Sequence, residues 1–152
     1  MDSLKKILGF GLAAVFAMSF SYVPAAFADA ANGKKLFNTK TKTMTAPCKQ
    51  CHKSAGDPNK FKPVGPGLKG VGKKHSRDWL LKWLSPKNVE IWEAKDDGIK
   101  DLMKRYSAAK KGKTMKKSQM VKNFAPGKKG KPPKITLTDA ERNDLVDYLM
   151  TL

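Results

Sequence analysis

Both cysteines of this 152-residue chain fall within one five-residue run, Cys48-Lys49-Gln50-Cys51-His52. Cys-x-x-Cys-His is the spacing that attaches a c-type haem. On a short helix, residues i, i+3 and i+4 share a face, so two sulfurs and one imidazole can address the same flat macrocycle. In that reading Cys48 and Cys51 become thioethers on the haem vinyl groups, and His52 supplies the proximal nitrogen to iron. No thiol is then left for a structural disulfide. A buried apolar cofactor compensates, because folding around it removes further apolar surface from water.

Two other chemistries use similar residues. A redox-active dithiol usually follows a buried strand in a βαβ unit, and Thr43-Met44-Thr45-Ala46-Pro47 is not an apolar strand. A zinc site takes about four protein ligands. Outside the run the chain offers only His75, so carboxylates would have to complete the set.

The N-terminus says where such a group would be attached. Lys5-Lys6 is a short basic region, Ile7 to Phe20 is apolar but too short to span a bilayer comfortably, and Ala26-Phe27-Ala28 is a small-x-small cleavage site. Residues 1–28 therefore read as a secretory signal peptide, with Asp29 as the first mature residue and the periplasm or another exported location as the destination. An uncleaved anchor is the competing reading, disfavoured by Pro24 and the cleavage site. Residues 29–152 are enough for one small domain.

The formal net charge is +18. Losing Lys5, Lys6 and Asp2 lowers it by one, and two ionised haem propionates would leave about +15. A surface this basic attracts acidic proteins, anionic lipid headgroups or nucleic acid without choosing among them. Export argues against nucleic acid.

Helical periodicity organises the mature chain. Asp29 can cap a first helix that places Gly33, Leu36 and Phe37 on one side. Glycine there costs about 1 kcal/mol relative to alanine, which points to close approach by another helix. Thr138-Asp139-Ala140-Glu141 reads as a capping box opening a terminal helix with Leu145, Tyr148, Leu149 and Leu152 on one stripe, so the chain ends can pack together. Between them come a Gly- and Pro-rich loop, 56–72, and a helix over 77–84, capped by Ser76 and stopped by Pro86. Its inward stripe is Trp79, Leu80, Trp83 and Leu84. A further segment starts near Asn88, breaks around Asp96-Asp97-Gly98 and resumes with Ile99, Leu102, Met103 and Tyr106 at helical spacing. From Leu102 to Thr138 twelve residues are basic and none is acidic. The part from Lys110 to Lys134 reads as an extended surface loop with little regular structure. No strand-like alternation of useful length is present, so the expected class is all-α.

In their order, these features resemble the class I c-type cytochromes, small single-haem electron carriers. The residues concerned are Gly33-x-x-Leu36-Phe37, the haem motif, Val64-Gly65-Pro66-Gly67-Leu68-Lys69-Gly70-Val71, Arg77-Asp78-Trp79-Leu80, and Leu145-Val146-x-Tyr148-Leu149. The resemblance implies a small cytochrome-c-like helical domain around one covalent haem c. It implies that Gly33 and Phe37 cross Tyr148. It also implies that the Pro66 carbonyl accepts a hydrogen bond from the second nitrogen of His52, orienting the ring and raising its basicity. A tryptophan or arginine of the 77–83 helix would bond a haem propionate.

The sixth ligand is expected at Met120, since Met120-Val121-Lys122-Asn123-Phe124 is similar to the family's Met-Pro-x-Phe run, with valine in place of proline. Met115, His75 and an open position are the alternatives; His75 otherwise reads as an exposed residue before a helix cap. A His52/Met120 pair suits outer-sphere electron transfer at a moderately high potential, without enzymatic turnover. Lys49, Lys53, Lys69 and part of 110–134 would dock acidic redox proteins or a membrane redox complex, with an anionic membrane surface as a further partner. A haem protein with an open sixth position, gas-binding or catalytic, and a fixed subunit of a larger redox complex are the competing functions.

Overall fold

Helix α1 (Ala30–Asn38) crosses helix α7 (Asp139–Met150) so closely that a Cβ on Gly33 would collide with the Asp144 carbonyl and lie 2.9 Å from the Tyr148 Cβ. The glycine that weakens α1 as an isolated helix is what lets the two backbones meet. Phe37 then reaches Tyr148 edge-on, with ring centroids 5.6 Å apart, and Asn32 hydrogen-bonds Asp144 across the crossing. The computed structural model describes residues 30–62, 64–127 and 130–152. The expected signal peptide over 1–28 and the expected capping role of Asp29 lie outside them.

Helix α7 begins with the expected capping box: the Thr138 hydroxyl accepts from the Glu141 N–H at 3.2 Å, and the Glu141 carboxylate accepts from the Thr138 N–H at 2.9 Å. The other Glu141 oxygen accepts from the Thr43 hydroxyl at 2.8 Å, which fastens the segment entering the cysteine motif to the base of α7.

Among the described residues five further helices fill the interval. They are α2 (Val71–Lys74), α3 (Arg77–Trp83), α4 (Asn88–Ala94), α5 (Asp97–Ala109) and α6 (Gln119–Phe124). Ser76 caps α3 by accepting from the Trp79 N–H. The break between α4 and α5 is a left-handed Lys95 (φ 49°), after which the Asp96 carboxylate caps α5 by accepting from the Ile99 N–H. Among the described residues there is no strand, only two isolated bridges, Met44 with Ile135 and Phe61 with Pro66. The domain is all-α.

Two stretches differ from the sequence reading. The 56–72 loop ends in α2, whose Gly72 lies 2.5 Å, as an added Cβ would measure it, from the Met150 Cα. The 110–134 stretch holds α6, with Val121 1% and Phe124 2% exposed. Two apolar residues three apart, set among lysines, give too short a pattern for periodicity to register; burial against neighbouring helices makes the helix instead.

The core has two parts. One joins α1, α3 and α7 through Leu36, Phe37, Leu80, Leu145, Val146 and Leu149. The other joins α3 to α6 through Trp83, Ile91, Ile99 and Val121, and Trp79 and Met120 pack against both.

Candidate cofactor site

The cysteine motif opens with a 3₁₀ turn, Cys48–Gln50, entered from an extended Pro47. The Cys51 and His52 N–H groups both donate to the Cys48 carbonyl, at 3.1 and 3.0 Å. The following loop folds back onto this turn: the Gly65 N–H donates to the Cys51 carbonyl at 2.9 Å and the Leu68 N–H to the Lys53 carbonyl at 3.0 Å. That return brings Pro66 to His52, whose Nδ1 donates to the Pro66 carbonyl at 2.9 Å.

A carbonyl can only accept, so Nδ1 carries the proton and the neutral ring keeps its lone pair on Nε2. Burial lowers the His52 pKa, partly countered by the Pro66 bond, and holds the ring neutral near pH 7. Gly65 is moulded to the same ring, since its added Cβ would strike the His52 Cε1 and come within 2.6 Å of Nδ1. No side chain larger than hydrogen fits there without displacing the imidazole.

Three backbone hydrogen bonds join the segment before the motif to the stretch after α6, and that stretch to α6 itself. Thr45 N–H donates to the Lys134 carbonyl, Thr136 N–H to the Thr43 carbonyl, and Ile135 N–H to the Asn123 carbonyl, at 3.0, 2.8 and 3.1 Å. The chain leading into Cys48 is thus tied to the end of α6, and Met120, in the first turn of α6, faces the same space as the motif.

That space is a cavity of about 350 Å³, within the range of about 300–1,000 Å³ usual for small-molecule and cofactor sites. Cys48, Cys51, His52, Pro66 and Met120 all line it, as do Met115 and His75. Most of the remaining lining is apolar, from Phe37 and Leu80 to Phe124 and Leu149. His75 is not the exposed residue the sequence suggested. It is half-buried and stacked on Trp79 (centroids 4.1 Å, planes 19° apart), which stacks in turn on Trp83 (5.3 Å, 21°). The three rings form one wall.

The other chemistries considered for the cysteines fit poorly. Burial pushes the Cys48 thiol up to about 11, whereas reactive dithiols have depressed values. Among the described residues no group of three or more His, Cys, Asp or Glu side chains is placed to hold a metal ion.

The polar part of α3 is turned elsewhere. Arg77 pairs with the buried Asp147 at 2.9 Å and with Asn143, both on α7, and the Trp79 indole N–H donates to Asp96 at 2.6 Å. The cavity's guanidinium is that of Arg105 on α5, which the sequence did not mark. At the mouth Val64 is 55% exposed, Lys69 and Lys117 line the opening, and Lys49 and Lys53 are exposed beside the motif. Among the described residues, none of the lysines from 110 to 134 forms an ion pair.

No protein-family model, curated protein or solved structure matches this chain.

Proposed function

We propose that this chain is an exported carrier of single electrons that holds one covalent haem c between Cys48, Cys51, His52 and Met120. The observation that carries the reading is the His52 ring. It is bonded through Nδ1 to the Pro66 carbonyl at 2.9 Å, burial lowers its pKa, and it lines one largely apolar cavity together with Cys48, Cys51 and Met120.

When bound, the group supplies one reversible electron through the ferric and ferrous states of its iron. The protein does the rest. Cys48 and Cys51 would tether the group, His52 and Met120 would hold its iron, and Pro66 would fix the tautomer and raise the basicity of the imidazole. Phe124, Leu80 and the Trp79/Trp83 wall would exclude water. Two side-chain ligands would keep substrates from the iron, which favours electron transfer over catalysis. Lys49 and Lys53 are exposed beside the motif and Lys69 and Lys117 line the cavity with the exposed Val64, and this basic surface suits brief docking of an acidic redox partner.

Absorption spectra of the mature protein and its variants test this assignment. The methionine-to-ferric-iron charge-transfer band should be present in the wild type, absent in Met120→Ala and retained in Met115→Ala. A wild type that binds carbon monoxide readily in the ferrous state and lacks the band would favour an open sixth position.

A further inference from the structure

One corner of the largely apolar cavity is ionic. Arg105 lines it with its side chain only 13% exposed, and Lys74 and His75 line it alongside. The Arg105 Nε–H donates to Asp101 at 2.8 Å, and an Nη1–H donates to the Pro58 carbonyl at 2.6 Å. Of the five N–H donors of a guanidinium, the Nη2 pair has no partner among the described residues. Asp101 cannot neutralise the corner, because the same carboxylate oxygen also receives Lys74 at 2.9 Å. Two cations share one anion.

Taking these contacts together, we propose that Arg105, steadied by Asp101 and Pro58 and supported by Lys74, seats an ionised carboxylate at the edge of the bound group; in the haem reading, on which this rests, that carboxylate is a propionate. Burial of an unbalanced cation beside an apolar wall is costly unless an anion meets it. A guanidinium with two parallel N–H groups to spare matches the two oxygens of a carboxylate. The field in the corner agrees in sign. His75 is held below its ordinary value first by burial and then by Arg105 and Lys74, against the opposing pull of Asp101 and Asp96. On α3, the helix expected to bond the propionate, Arg77 and Trp79 bond other partners. The guanidinium in the cavity lining is the one on α5.

The test is the midpoint potential as a function of pH, measured on pigmented wild type, Arg105→Gln, Arg105→Lys and Asp101→Asn, with covalent haem per chain determined for each. Removing the cation should lower the potential and add a pH dependence steeper than the wild type's, as the deserted carboxylate begins to take up a proton. Arg105→Lys should restore most of the wild-type profile. Asp101→Asn removes an anion and should shift the potential upward. Simple damage to the cavity wall would admit water in both variants and move both potentials the same way, and that result, or an Arg105→Gln profile parallel to the wild type's, overturns the proposal. A wild type without covalent pigment would instead overturn the haem reading beneath it.

Discussion

Gly65→Ala is the sharpest steric test of how the site is built. The new Cβ would lie 2.6 and 2.8 Å from the two ring nitrogens of His52, where ordinary contact is 3.4–4 Å, so the ring must retreat by about an ångström or the loop must lift. Either movement stretches the 2.9 Å bond to Pro66 past useful length. Losing that bond costs about 0.5–1.5 kcal/mol, and the overpacking costs about 1–3 kcal/mol. Alanine returns about 0.4–1 kcal/mol by restricting the unfolded chain, since Gly65 does not sit at a left-handed φ. The net loss is about 0.5–4 kcal/mol, or roughly 2–16 °C in Tm at about 4 °C per kcal/mol for a domain of this size. Denaturant unfolding of the mature protein, read by haem absorbance and by circular dichroism, measures it. A change below about 0.5 kcal/mol, the range of neutral surface substitutions, with an unaltered haem spectrum would refute the argument that Gly65 is shaped to His52.

Gly33→Ala should destabilise the domain by about 1–3 kcal/mol despite the better helix propensity of alanine, because its Cβ meets the Asp144 backbone; a stabilised variant would contradict the close crossing. Glu141→Gln should cost about 1 kcal/mol at neutral pH by weakening the capping box. Burial alone would raise the Glu141 pKa, but hydrogen bonds from the Thr138 N–H and the Thr43 and Thr138 hydroxyls pull it below 4.5. Its stabilisation is therefore present above about pH 4.5 and lost as pH falls through the depressed value, so acid titration of the variant should show a flatter limb than the wild type. Electron exchange with an acidic partner should slow as salt rises, and Lys69→Gln with Lys117→Gln should lower the low-salt rate several-fold; a rate indifferent to ionic strength would remove the docking reading.

Local signals with a single physical cause were readable in advance. The Gly33 crossing, the Ser76 cap, the Thr138/Glu141 box and the break before Asp97 each follow from a residue acting on its own backbone or on one neighbour. Cys48, Cys51, His52, Pro66 and Met120, singled out from the sequence, line one cavity, and so do the alternatives Met115 and His75. What escaped were features created by distant segments meeting. Helix α6 exists because Val121 and Phe124 find a core, not because six residues prefer helix. The place of His75 depends on Trp79 lying beneath it and Gly98 leaving room beside it, with an added Cβ only 3.1 Å from its ring. Arg105 resembles any lysine or arginine of its basic surroundings until α5 turns it inward beside Asp101, and no spacing in the sequence announces that.

The central claim is that two thioether bonds hold a haem in this cavity. The pyridine haemochrome spectrum of the mature protein, produced with a competent maturation system and then extracted with acidified acetone, tests it most directly. A c-type haemochrome at one haem per chain that stays with the protein through extraction is the predicted result. A colourless protein, or pigment that leaves with the solvent, would contradict it.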